Sequence, residues 1–211
     1  MMPRETTRKR GKGRPAENGV GRDVVLATAR RLLQSMPPAR VTISLIAREA
    51  GIDPALVRYY FGDRSNLLLA VVDDMLGDIP RDRPDNGGAA TMLRKRVQQV
   101  HQFSLSAKHM RRLMVDELAE SKSAEVQSRL RDINAQAVEA YRSLLALDGG
   151  KSLRQVNPLF LYLMVVGIFD FFVSSEPMVH NAAPDGTKID ELSAEFEDFV
   201  ADILLNGLRK R

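Results

Sequence analysis

The chain has 211 residues, enough for a small head joined to a larger body. Hydrophobic residues make up 44% and charged residues 27%, the balance of a globular protein rather than a disordered or fibrous one. There is no cysteine, so a disulfide framework, a thiolate nucleophile and a cysteine metal site are all excluded, which suits a reducing cytoplasm.

Charge is unevenly placed along the chain. Residues 1–64 hold 13 Lys and Arg against 6 Asp and Glu, while the rest holds 18 against 21. A basic head on a mildly acidic body is the footprint of a protein that docks one end on a polyanion. Residues 1–21 are polar and lack apolar periodicity. No apolar stretch follows the basic start, so it does not read as a secretory signal. A flexible arm is expected there, with Arg8, Lys9, Arg10, Lys12 and Arg14 as its cations. Around Gly13-Arg14-Pro15 such an arm suits a narrow minor groove or a row of phosphates. It equally suits a solvated tail that raises solubility.

Helical periodicity begins at Arg22, with Val25, Ala29, Leu32 and Leu33 on one face. Pro37 and Pro38 stop it, because proline cannot continue the hydrogen-bond ladder. Thr42 is a suitable N-cap for a short second helix whose inner face carries Ile43, Ile46, Ala47 and Ala50. Gly51 then takes the position after the helix, where a left-handed backbone costs glycine little. Asp53 caps a third helix, where it counts among the expected DNA-side residues, and Pro54 fits its first turn. Gly62-Asp63 repeats the device, and a fourth helix is expected over 64–76. The stretch 78–88 reads as a linker.

Four longer helical patterns follow the linker. They run over about 90–107, 108–120 and 123–147, and then over the very apolar 158–175, which Asn157 caps. The third of these carries Val126, Leu130, Ile133, Ala137, Tyr141 and Leu144 as a stripe. The apolar run is short for a membrane span, which needs about 20 residues. It also contains Asp170, so a buried helix is expected. A loop over 176–188 precedes a last helix over 189–208, with Leu192, Phe196, Phe199, Val200 and Ile203 on its inner face. No strand pattern is present, and the chain reads as all-α with about nine helices.

The segment 42–61, TISLIAREAGIDPALVRYYF, has helix-turn-helix spacing. Such a unit lays its second helix in the DNA major groove and braces it with the first. At about 100° per residue, Leu56, Val57, Tyr60 and Phe61 fall on one side of the third helix, to pack inward. Pro54, Ala55, Arg58 and Tyr59 fall on the other. Ala55 permits close approach, Arg58 can meet guanine or a phosphate, and Tyr59 can reach a phosphate or a thymine methyl. Thr42 can offer its hydroxyl and amide to a phosphate. Arg64 opens the fourth helix, whose free amides favour an anion. On spacing alone an ordinary αα-hairpin fits as well as a DNA reader.

The run Thr42, Ile46-Ala47, Ala50-Gly51-Ile52, Asp53, Tyr60-Phe61-Gly62, Arg64 and Leu67-Leu68 closely resembles the signature of the TetR/AcrR family of bacterial regulators. About 55 residues share it strongly, and the body matches in helical layout and length. Many members carry Tyr where this chain has Arg58 and Lys where it has Arg64, changes that keep phosphate-contact chemistry. The resemblance implies a cytoplasmic bacterial repressor. Its parts are an arm (1–21), a three-helix DNA-binding head with a connecting helix (22–76), a linker (77–89) and an effector-binding and dimerisation body (90–211). It further implies a double-stranded operator, a small-molecule effector and a homodimer through the last two helices, with no membrane partner. No cofactor or metal is expected.

Polar groups on apolar faces are candidates for the effector site: His101, Met114, Tyr141, Tyr162 and Asp170. Each also fits a core or interface position. Asp170 can instead pair with a basic group across the dimer interface, because an unpaired buried carboxylate is costly. Two rival readings are a non-specific architectural DNA binder and a helical ligand carrier without specific DNA function. Enzyme readings fail on spacing. His101, His109 and His180 do not stand at metal-ligand distances in sequence. Gly150-Lys151-Ser152 lacks a P-loop's first glycine, since Leu145 occupies that place.

Overall fold

A computed structural model describes residues 20–79 and 88–210. Nine α-helices are present among the described residues: α1 (Val20–Ser35), α2 (Ile43–Ala50), α3 (Pro54–Phe61), α4 (Arg64–Gly77), α5 (Gly88–Ser106), α6 (Ala124–Ala146), α7 (Pro158–Ser174), α8 (Glu176–Ala182) and α9 (Ile189–Leu208). Among the described residues there is no strand, and one isolated antiparallel bridge joins Leu153 to Arg209. The class is all-α, but the nine are not the nine expected. The 176–188 stretch contains α8 rather than only loop. The stretch after α5 is wound as a π-helix over Arg112–Leu118, where the Ala119 amide reaches back to the Met114 carbonyl.

Local chemistry accounts for most helix starts. Thr42, Asp53, Asp63, Ser123 and Asn157 each accept a hydrogen bond from a first-turn amide of the helix they precede. Such caps contribute about 1 kcal/mol each by satisfying amides that have no partner within the helix. Gly51 ends α2 at φ 69°, a left-handed conformation that glycine adopts without a Cβ clash. That turn sets α3 across α2.

Two apolar cores hold the molecule together. The first gathers Val25, Ala29, Leu32, Ile46, Val57, Phe61, Leu68 and Val72 from α1–α4. It also takes in Leu113 and Leu118 from the π-helix and Val126, Leu130 and Ile133 from α6. The head therefore shares its core with the start of the body. Burial of Ile46 and Val57, both fully inaccessible, stabilises by about 1.5–3 kcal/mol each. The second core joins α5, the end of α6, α7 and α9 around Leu93, Val97, Tyr141, Val165, Phe169 and Leu204.

The apolar helix α7 is not buried all round, as the sequence had suggested. Leu161, Val165, Phe169 and Phe172 face the core. Leu159, Phe160, Leu163, Met164 and Phe171 face outward, Phe160 being 67% accessible. The α9 stripe also divides. Val200, Ala201, Leu204 and Leu208 turn inward, while Phe199 and Ile203 stand exposed. Among the described residues no single helix is long and apolar enough to cross a membrane; α7 and α8 meet the criterion only together, and they are bent by 77°.

Candidate nucleic-acid interface and effector cleft

The α2–α3 unit presents a polar edge to solvent. Val57 and Phe61 anchor α3 on the first core, and Leu56 and Tyr60 are partly covered beside them. Ala55, Arg58 and Tyr59 are exposed on the opposite side, and Pro54 is half-covered at the helix start. Tyr59 is 73% accessible, far more than a structural tyrosine needs. Its ring stands edge-on to Tyr60, centroids 5.6 Å apart. Tyr60 in turn closes on α1: a Cβ on Gly21 would sit 2.7 Å from its hydroxyl. The Arg22 guanidinium lies 5.1 Å from the Phe61 ring centre, so α1 braces α3 from behind.

Thr42 Oγ1 accepts from the Leu45 amide at 3.1 Å. Its hydroxyl hydrogen is left for an outside acceptor such as a phosphate. Asp53 Oδ1 accepts from the Ala55 amide at 2.7 Å. That bond orients the start of α3, and an ionised carboxylate has no hydrogen to give a phosphate. Arg8, Lys9, Arg10, Lys12 and Arg14 lie outside the described residues.

Arg64 requires a correction. It was expected to reach an anion at the start of α4. Its guanidinium instead turns inward: Nε donates to the Val41 carbonyl at 2.9 Å and Nη2 to the Pro38 carbonyl at 2.7 Å. Nη1 meets Glu117 Oε2 at 2.6 Å. The side chain thus ties the turn before α2, the start of α4 and the π-helix of the body into one junction.

A cleft of about 640 Å³ opens between the end of α4, α5 and α6. None of the five expected effector residues lines it. His101 is buried in the second core, with Nδ1 2.6 Å from Glu197 Oε2 and Nε2 2.8 Å from Ser193 Oγ. Its ring stacks on Phe169 at 4.8 Å. Those contacts occupy both ring nitrogens and one face, so the histidine fastens α5 to α9. Tyr141 is likewise buried in that core, beneath the Arg96 guanidinium. Tyr162 packs beside Tyr141, and burial pushes its phenol above its ordinary value. Met114 packs against the first core. Asp170 pairs within its own chain, its Oδ2 lying 3.0 Å from Arg111 Nε, rather than awaiting a partner across an interface. Burial raises its carboxyl above the ordinary value and the arginine opposes that rise.

Of the residues that shape the cleft, Ile133, Ala137 and Leu144 stood out in the sequence only as part of an apolar stripe, and Asp73 and Arg129 not at all. At its mouth Arg129 of α6 grips Asp73 of α4. Nε and Nη2 lie 3.0 and 2.8 Å from Oδ1, and Nε lies 3.3 Å from Oδ2. The two stand 56 positions apart, so no local pattern joins them.

A helix-turn-helix head with an exposed face on α3, joined to a helical body that holds a cleft, defines an all-α class of two-part proteins. Residues 25–71 match the family described as bacterial regulatory proteins, tetR family. The HTH-type transcriptional regulator BetI of Rhizobium meliloti is 35% identical over 88 residues, 42% of this chain and 43% of that protein. The chain thus matches less than half the length of this curated relative. Among solved structures, the fatty acid degradation regulator FadR from Bacillus halodurans superposes with a TM-score of 0.60 at 16% identity, covering 92% of this chain and all of that one. AibR, in complex with isovaleryl coenzyme A and operator DNA, gives 0.58 at 16% identity, over 87% of this chain and 97% of that one. At such identities the likeness shows a common fold.

Proposed function

We propose that the protein is a homodimeric transcriptional repressor of the bacterial cytoplasm that binds a near-palindromic operator and releases it when a small molecule enters the body. The observation that carries this reading is the exposed Ala55-Arg58-Tyr59 edge of α3, held out by a buried Val57 and Phe61. The net positive charge of the first 64 residues supports it through attraction to phosphates. The family match over 25–71 supports it independently. The domain division at 1–21, 22–76, 77–89 and 90–211 remains part of the proposal, with the arm as a minor-groove or phosphate contact. A footprint across promoter DNA tests it. Protection of one inverted-repeat site, with at least about a thousandfold preference over random DNA, is expected. Equal affinity for both DNAs would favour a non-specific architectural binder instead.

The outward apolar faces of α7 and α9 support the dimer. Phe160, Leu163, Met164 and Phe171 recur along one side of α7, beside Phe199 and Ile203 of α9. Two such pairs of helices can close a four-helix bundle. A dimer also supplies the second half-site contact that one short reading helix lacks. Phe171→Glu places a charge in that face and should yield monomers in sedimentation velocity at micromolar protein. A variant that sediments as a dimer would remove α7 from the interface.

A further inference from the structure

We infer that the π-wound segment Arg112–Leu118 is a two-register switch between the body and the head: wound as π it holds Glu117 on Arg64 and fixes the turn before α2, and rewound as α it lets that turn go. The inference rests on the regulator reading for its biological meaning, though not for its test.

The hydrogen-bond ladder changes pitch within the segment. It enters in the ordinary α pattern, with the Leu113 amide donating to the His109 carbonyl at 2.9 Å. It leaves one residue wider, with the Ala119 amide donating to the Met114 carbonyl at 2.9 Å. Such wide turns are rare and collect at functional positions. The cause here is packing. Leu113 and Leu118 are both buried in the first core. At about 100° per residue an α-helix would set them about 140° apart, and one would leave that core. A turn five residues wide stacks them on one face. The same winding brings Glu117 Oε2 within 2.6 Å of Arg64 Nη1.

The segment is held from both sides. On the head side, the other nitrogens of Arg64 donate to the Val41 and Pro38 carbonyls, so Glu117 anchors the fork that holds the turn. On the body side, Gln127 of α6 closes the end of the segment. Its Nε2 lies 3.1, 2.8 and 3.0 Å from the carbonyl oxygens of Leu118, Ala119 and Ser121. Rewinding to α restores the regular ladder but gives up the burial of Leu118 and the pair of Glu117. A backbone gain thus opposes a side-chain loss, and two packings balanced in this way make a bistable element. Because α6 also lines the cleft, a shift of α6 acts on Gln127 and, through the register, on the turn before α2.

Hydrogen exchange on the full chain without DNA tests the switch. The reporters are the amides of Val41, Leu45 and Ile46, which bond to the Pro38 carbonyl, Thr42 Oγ1 and the Thr42 carbonyl. Glu117→Ala should speed their exchange about tenfold. Gln127 bonds to the far end of the segment, yet Gln127→Ala should speed the same amides about fivefold. The double variant should go no faster than Glu117→Ala alone, because both act through one latch. Deletion of Val115, an exposed residue, leaves Leu113 and Leu118 four positions apart, about 40° on an α-helix. One register then serves both leucines, and on that background Gln127→Ala should leave the reporters unchanged. The inference is overturned if Gln127→Ala speeds exchange only over 118–123, or equally through α7 and α9. It is also overturned if the two effects add, or if Gln127→Ala still acts in the Val115 deletion. Should Glu117→Ala or the deletion fail to fold by circular dichroism, Gln127→Ala alone decides. If the exchange pattern holds while promoter DNA is not recognised, the regulator reading fails and the switch stands. If promoter DNA is recognised and the pattern is absent, the reverse holds.

Discussion

Arg58→Ala is expected to weaken operator binding by about 1–3 kcal/mol at each half-site. In a dimer the two losses add, so affinity should fall at least about thirtyfold. The reason is positional. Arg58 lies one position from buried Val57 and three from buried Phe61, so the backbone beneath it is pinned while its own side chain is exposed. The same measurement settles what Arg58 touches. If it meets a guanine edge, the loss is confined to the operator and discrimination against random DNA shrinks. If it holds a phosphate, both DNAs are weakened alike, and the slope of log affinity against log salt flattens by roughly one unit per contact. Arg142→Ala, which removes an exposed charge on the far half of α6, is the control for net charge. Equal effects from Arg142→Ala and Arg58→Ala would leave α3 with no special role.

Arg64→Ala should act on stability first. It removes three charge-assisted hydrogen bonds and leaves Glu117, whose side chain is only 18% accessible, without its cation. A fully buried pair broken on one side costs about 3–5 kcal/mol. Arg64 itself is 31% accessible, so about 2–3 kcal/mol is the reasonable figure after solvent screening. For a chain of this size the fall in Tm is roughly 4–12 °C. Arg64→Lys should recover only part of it, because an ammonium cannot serve Val41, Pro38 and Glu117 in the fork geometry of a guanidinium. Thermal melts of the three proteins check this directly. An Arg64→Ala variant with an unchanged Tm but weakened DNA binding would return Arg64 to the DNA face.

The contrast between these two arginines shows where sequence reasoning succeeds. Both were placed on DNA by their neighbourhood. For Arg58 the structure gives an exposed side chain, as the helical wheel implies, because a wheel depends only on residues within one or two turns. For Arg64 the wheel carries no information about partners that lie 23, 26 and 53 positions away. His101, expected as an effector residue, shows the same limit. Its partners Ser193 and Glu197 lie 92 and 96 positions along the chain. A polar residue on an apolar face signals a buried contact, but not whether protein or ligand provides it.

The apolar helices mark another boundary. The periodicity of α9 placed Leu192, Phe196, Phe199, Val200 and Ile203 on one stripe. That stripe is wider than one core can cover, so Val200 turns inward while Phe199 and Ile203 face out. Hydrophobicity alone reports that a face avoids water. It does not report whether the chain's own core or a second chain removes it.

By itself the sequence determined the all-α class, the capped starts of α2, α3, α4 and α7, the glycine turn at Gly51 and the two sides of α3. All of these depend on short-range backbone sterics and helical period. Only the tertiary structure decided the sharing of the head's core with the π-helix and α6, the inward use of Arg64 and His101, and the cleft closed by Asp73 and Arg129. Each of those rests on side chains brought together from distant positions, and their meeting is a property of the packing rather than of any local run of residues.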